Sequence, residues 1–455
     1  MKLFTRALLL LLPIIATHTA CTSDTDYDTV TSGDCIITAT TMGTLNRYLL
    51  TKSSTGEDST YRVTVTGSLY PMTIDQLNGL IFNRDSLPYG TDGSKIVFST
   101  FNAVGAVRIR SLITAEDTIF SAADSTDFTL PRLLTVHASD GLSTRTYEMR
   151  VNIHREEGDS MRWNSIATGC TLLQGMTELR ALAADGELKV YGRYGDSTQV
   201  VSIPYGRTTV EDVSLWDSRT LKTVLLPTSI QTAFGHYFAL DEEHHILTSA
   251  DGLTWHETGS ELKPLALIAG GKTGLGAIAD GHFLHSTDGV NWTVQENDEP
   301  DQVPTGSIVS VCIPAQTDNG QEIFVAVGRR DGQCVVWRRT ADTDGGDSYP
   351  WVHIPAAETN AYNCPTLDQQ ALLRYDGTAC LTGLDTDGTP APFYSSRDNG
   401  RTWIDGELRL PFIPLSAQHE ITATADEFNF AWYIDSTTGR VWRGRHNRLG
   451  WAENQ

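Results

Sequence analysis

The stretch Ser396-Arg397-Asp398-Asn399-Gly400-Arg401-Thr402-Trp403 decides the fold, because its Ser, Asp, Gly and Trp recur twice upstream. Ser249, Asp251, Gly252 and Trp255 make one further copy, and Ser286, Asp288, Gly289 and Trp292 another, each one residue shorter. Residues of these types in this order suit a hairpin corner. Glycine accepts a positive φ without a Cβ clash, so Gly400, Gly252 and Gly289 mark where the backbone reverses. A carboxylate slightly earlier, from Asp398, Asp251 or Asp288, folds over the turn and accepts its exposed N–H groups. The tryptophan opens the next strand and covers the corner with a large apolar ring. In this reading the residues are structural, and none is assigned to catalysis.

Weaker copies extend the series. Residues 202–209 keep Ser202, Gly206, Arg207 and Thr208 in register with the best copy, with Pro204 in place of Asp and Thr209 in place of Trp. Residues 340–351 are a copy widened by the insert 342–349, and residues 445–451 are another. The steps from 202 to 249, 286, 340, 396 and 445 are 47, 37, 54, 56 and 49 residues. Such spacing suits one four-stranded β-propeller blade per copy. Six blades are expected, or seven if residues 207–227 hold further strands. Segments 265–269, 275–279, 282–285 and 291–294 read as the four strands of one blade, with Asp280-Gly281 turning between the second and third. Equivalent acidic turns occur at Gly195-Asp196-Ser197, Asp241-Glu242-Glu243, Asp331-Gly332, Asp387-Gly388 and residues 435–439. They belong on one rim and the Ser-x-Asp corners on the other. Asp-Gly is the favoured short hairpin turn, so a ring of such turns needs no cation to explain it. Asp342, Asp344 and Asp347, like Asp385 and Asp387, lack the remaining ligands of a calcium loop, so no metal is expected.

The Ser-x-Asp corners resemble the Asp-box, the repeat of sialidase-like β-propellers, over roughly residues 160–455. Activity in those enzymes needs an arginine cluster to hold a carboxylate, a Tyr paired with a Glu as nucleophile, and an Asp as acid. The nearest counterpart of the family's Arg-Ile-Pro motif is Ser202-Ile203-Pro204, which lacks the arginine. No Gly-x-Ser-x-Gly elbow or His-Glu-x-x-His helix is present either. Gly271-Lys272-Thr273 imitates the tail of a phosphate loop, but Ala266 stands where the motif requires its first glycine. No cofactor is indicated. Other propeller glycosidases use a carboxylate pair, which the sequence cannot single out among 56 acidic residues.

A chain of 455 residues calls for two domains. Its formal net charge of −22 repels phosphate backbones, which excludes nucleic acid as a partner. Residues 1–20 carry Lys2 and Arg6, then an apolar run from residue 7 to residue 16, then small residues before Cys21, as a signal peptide does. The junction resembles a bacterial lipobox, which implies lipidation of Cys21 and a membrane anchor in the outer membrane; His18 stands where that family has an aliphatic residue. Residues 21–34 read as an acidic tether. They resemble the leader of Bacteroidetes surface lipoproteins.

Residues 35–155 read as a β-sandwich. Tyr61, Val63 and Val65 alternate with polar neighbours, and Tyr147, Met149, Val151 and Ile153 share one strand face. Thr135 to Gly141 followed by Tyr147 to Val151 resembles the closing hairpin of immunoglobulin-like modules. Residues 155–160 are the linker, and 161–455 the propeller. Of the seven cysteines, six remain if Cys21 is lipidated, compatible with three disulfides. Cys312 and Cys334 fall on the first and third strands of one blade, beyond disulfide reach, and are expected as buried thiols.

The expected function is non-catalytic binding of a glycan or partner protein by the propeller face. The connections 256–263, 296–307 and 355–369 would serve it; Trp216, Arg219 and Tyr362 could stack on sugar rings, although packing within the propeller is the plainer role of each. The alternatives are a sialidase-like glycoside hydrolase and a scaffold or adhesion subunit of an outer-membrane complex.

Overall fold

The computed structural model describes residues 31–206, 215–315, 320–344, 349–406, 408–411, 413 and 418–451. The leader, Cys21, the expected corner residues 207–209 and Asp347 lie outside the described residues. Every regular element among those described is a β-strand or a short 3₁₀ turn. The chain divides into two compact units, one ending at Arg155 and the other beginning at Glu156.

In the first unit, the hairpin Arg132–His137 and Thr144–Arg150 sits in the middle of a six-stranded sheet. Two-stranded ribbons join Ile36–Met42 to Phe98–Val104, and Thr44–Lys52 to Asp58–Thr66. Ile37, Leu45, Ile81, Leu134, Val136 and Met149, drawn from ribbons and sheet alike, share one core, so the unit is a two-layered sandwich. Tyr147 ties the layers together: its buried hydroxyl donates to Gln76 Oε1 at 2.7 Å and accepts the Ile37 N–H at 3.3 Å. The alternation through Tyr61, Val63 and Val65 is only partly used. Val65 is buried, whereas Tyr61 is exposed, as are Tyr48 and Leu50 across the ribbon, because the ribbon runs beyond the core.

Among the described residues the second unit consists of six four-stranded antiparallel sheets. Their innermost strands are Thr177–Ala184, Leu225–Ala233, Ala266–Ile268, Gly306–Pro314, Asp368–Tyr375 and Ile421–Ala425. Each touches its two neighbours, and the first also touches the last, so the ring closes around a central channel. Blades one to six are numbered in that order. Second strands such as Thr378–Leu384 are buried along their whole length, because neighbouring blades cover both faces; this is why they read as continuous apolar runs. Residues 207–227 contribute only an outermost strand, Asp217–Thr220, and the start of blade two, among the residues described.

Blade six is composite. Its three inner strands come from the C-terminal end, and its outermost strand is Met161–Ala167, paired antiparallel with Arg440–His446. The stretch 445–451 is therefore no strand-to-strand corner: it ends in the 3₁₀ turn Asn447–Leu449, and the fourth strand arrives from the other end of the domain. A backbone periodicity cannot reveal this, since the pairing joins residues nearly 300 apart in sequence. The tryptophan pattern is more regular than the sequence alone suggested. Trp216, Trp255, Trp292, Trp351 and Trp403 each immediately precede an outermost strand, so blade one has its tryptophan at Trp216 rather than at Thr209.

Candidate functional site

The three corners have one geometry. In each, the Ser hydroxyl donates to the Asp carboxylate and accepts the Gly N–H: 2.9 and 2.9 Å at Ser249, 2.9 and 2.8 Å at Ser286, 3.0 and 2.7 Å at Ser396. The same Asp Oδ1 then takes two further backbone N–H groups, at 2.8 Å for Leu253 and Thr254. Backbone donation, from Thr254 foremost, pulls the Asp251 carboxyl down to about 2. Asp288 is depressed in the same way, chiefly by the Asn291 N–H. Gly289 has φ +76° and lies so close to the second strand of blade two that a Cβ there would meet Phe238 Cε1 at 2.5 Å. Each corner thus seats one blade on the blade before it. All three connect third to fourth strands, at the rim where the innermost strands end. They frame the propeller, and their Ser, Asp, Gly and Trp residues line neither cavity of the central channel.

The opposite rim, where the innermost strands begin, opens into a cavity of about 370 Å³. Blades one, four and five enter it through the same device. Glu178, Ser307 and Gln369, each the second residue of its strand, have φ of +52°, +48° and +47°, and the ladder slips register immediately afterwards. Left-handed backbone at non-glycine residues costs on the order of 1 kcal/mol each and recurs where side chains must be aimed. Glu420 of blade six faces the same space. Burial, followed by the charge of Glu178, raises its carboxyl above the usual range. The Gln369 amide clasps blade six, donating to the His419 carbonyl at 3.2 Å and accepting the Ile421 N–H at 3.0 Å. Behind it, His419 Nδ1 lies 3.1 Å from Asp435 Oδ2, both side chains buried. Gln370 Oε1 is buried with no partner among the described residues. Leu226, Leu265 and Ile308 supply apolar wall. A cavity of this size, with few polar groups converging on an apolar lining, is the form of a small-ligand site.

None of these residues belongs to a motif in the sequence. The connections 256–263, 296–307 and 355–369 do lead into innermost strands at this rim. Tyr362 is about half exposed, and its carbonyl accepts the Trp403 N–H at 2.9 Å. Trp216 packs against the propeller core, and Arg219 pairs with Asp217 on the surface. Gly271-Lys272-Thr273 does cradle an anion, but an internal one: Lys272 N–H lies 2.9 Å from both oxygens of Glu322. Cys35, Cys170, Cys312, Cys334, Cys364 and Cys380 are all free thiols, so no disulfide is formed among them. Among the described residues no cluster of His, Cys, Asp and Glu could hold a metal ion, and no helix is long and apolar enough to cross a membrane.

Fold and site together define a six-bladed β-propeller that follows a β-sandwich in the chain, with a cavity at the mouth of its central channel. The chain belongs to the DUF6242 family: the DUF6242 β-propeller domain matches residues 157–454, and the DUF6242 N-terminal domain residues 40–151. No curated protein matches it. Similar solved structures include a β-xylosidase at 8% identity, covering 61% of this chain and 93% of that one with a TM-score of 0.31. An α-L-arabinofuranosidase from Podospora anserina, in complex with cellotriose, matches at 8% identity over 63% and 96%, TM-score 0.33. A Trichoderma reesei carbohydrate-active enzyme of family AA12 matches at 9% over 63% and 96%, TM-score 0.35.

Proposed function

We propose that this protein is a lipid-anchored outer-membrane protein of the Asp-box type, exposed at the cell surface, that binds a glycan or a partner protein with the channel-mouth face of its propeller. The observation that carries the reading is the mouth cavity itself, where strained backbone aims Glu178 and Gln369 inward beside Glu420 and the unpartnered Gln370 oxygen. Sugar hydroxyls are matched by amides and carboxylates set on apolar wall. The leader and Cys21 support the anchor, and the acidic tether supports display away from the membrane. The test is an array of host and dietary polysaccharides probed with the full chain and with Gln370→Leu. Saturable binding weakened about tenfold by the substitution is expected; no retention on any glycan overturns the glycan reading.

One observation favours a second reading, glycoside hydrolysis. Glu420, whose affinity for a proton is raised by burial and by the neighbouring Glu178 charge, is the kind of carboxyl that serves as a general acid beside a carboxylate. Release of reducing sugar from a bound polysaccharide, abolished by Glu420→Gln, would establish it; binding without release removes it.

A further inference from the structure

Below the mouth, the channel widens toward the other rim into a second cavity of about 620 Å³. Two basic side chains line it, Arg180 from blade one and Arg374 from blade five, and Arg180 also lines the mouth cavity, which places it at the waist between them. We infer that the channel waist is a binding site for a carboxylate-bearing ligand, built on Arg180 with Arg374 and entered from the rim opposite the mouth.

The argument is one of unmet partners. This chain has 56 acidic against 34 basic residues, and its other enclosed arginines are met either by carboxylates or, as at Arg132 and Arg339, by backbone carbonyls. Arg443 meets Asp426 at 2.6 Å, Arg193 meets Glu242 at 2.6 Å and Arg329 meets Asp368 at 2.6 Å. Arg180 has a single hydrogen bond, 3.3 Å from an Nη to the Gln231 amide oxygen, while its Nε is buried with no partner among the described residues. Surrounded by the innermost strands, its guanidinium is pulled down to about 10 by burial. Arg374, exposed to the channel, has no ion-pair partner among the described residues either. A half-buried guanidinium with no counter-charge beside it is one that a bound anion stabilises.

The carboxylates near the lower cavity are engaged or peripheral. Asp376 is held by Arg448 at 2.7 Å, and Asp426 by Arg443. Glu427 accepts from the Tyr205 hydroxyl at 2.7 Å, and Asp185 stands on an exposed turn. Arg374 lies on the wall of the lower cavity and not of the mouth, which places entry on that side, and the volume there admits an acidic monosaccharide. A planar guanidinium with free forks matches a carboxylate in two-point contact. This site is separate from the mouth and does not depend on the reading given to it.

The test is titration calorimetry of the full chain at constant ionic strength with sodium glucuronate, acetate, phosphate and chloride. Saturable binding of glucuronate and acetate is expected, at least tenfold weaker in Arg180→Gln. Arg374→Gln, a change at an exposed side chain that leaves the fold intact, should weaken binding several-fold and keeps the test decisive if the waist variant does not fold. Absence of saturable carboxylate binding, or its persistence at full strength in the two variants, overturns the site. Chloride or phosphate binding as tightly as either carboxylate overturns the assignment of ligand.

Discussion

At Gly289 one missing methyl group governs how two blades meet. An added Cβ would press on Phe238 and would have to hold φ at +76°, so Gly289→Ala should destabilise the propeller by about 1–3 kcal/mol, measured by urea unfolding. The aspartates of the corners contribute to the pH dependence. Asp251 has its carboxyl near 2 in the folded chain against about 3.9 when unfolded. A depressed acid contributes stability that is complete above the unfolded value and lost as pH falls through the folded one. The melting temperature should therefore drop between pH 4 and pH 2, and Asp251→Asn should shallow that drop while lowering stability at pH 7. Thermal unfolding followed by circular dichroism across that range checks both. A curve for Asp251→Asn with an unchanged acid limb would refute the assignment.

At the scale of the element, blade six shows how a composite sheet is locked. Arg443, fully buried, binds Asp426 and lies 4.0 Å over the Phe430 ring and 5.0 Å over that of Trp432, while Asp426 also accepts the Trp432 indole N–H at 2.9 Å. Removing one member of a buried pair leaves the other charged and dry, so Asp426→Ala should cost about 3–5 kcal/mol by chemical denaturation. The closing strand has its own keystone. Trp163 stacks on Phe393 with centroids 6.4 Å apart and donates to the Arg409 carbonyl at 2.7 Å. It passes over Gly444, where a Cβ would meet the indole at 2.6 Å. Gly444→Ala should therefore push the strand Met161–Ala167 away, seen as faster amide hydrogen exchange there while blades two and three keep their protection.

Across the whole molecule, the two rims have divided their work. One carries the Ser-x-Asp corners, which bear on neighbouring blades and hold the ring; the other carries strained strand starts that aim polar groups into a cavity. The corners were legible because they are local: Ser396, Asp398 and Gly400 satisfy one another within five residues, so composition and spacing reveal them. The blade count followed from their period. Glu178, Arg180, Gln370 and Glu420 come from three blades and up to 242 positions apart, with no shared motif. Their meeting is a consequence of ring closure, and so is the loss of a sixth corner at residues 445–451, where a strand from residue 161 onward takes the outer place. The sequence by itself determined the repeat, its turns and the all-β class, since each depends on contacts between near neighbours. Only the tertiary structure decided which side chains share the channel, because closing a ring joins residues that no local pattern links.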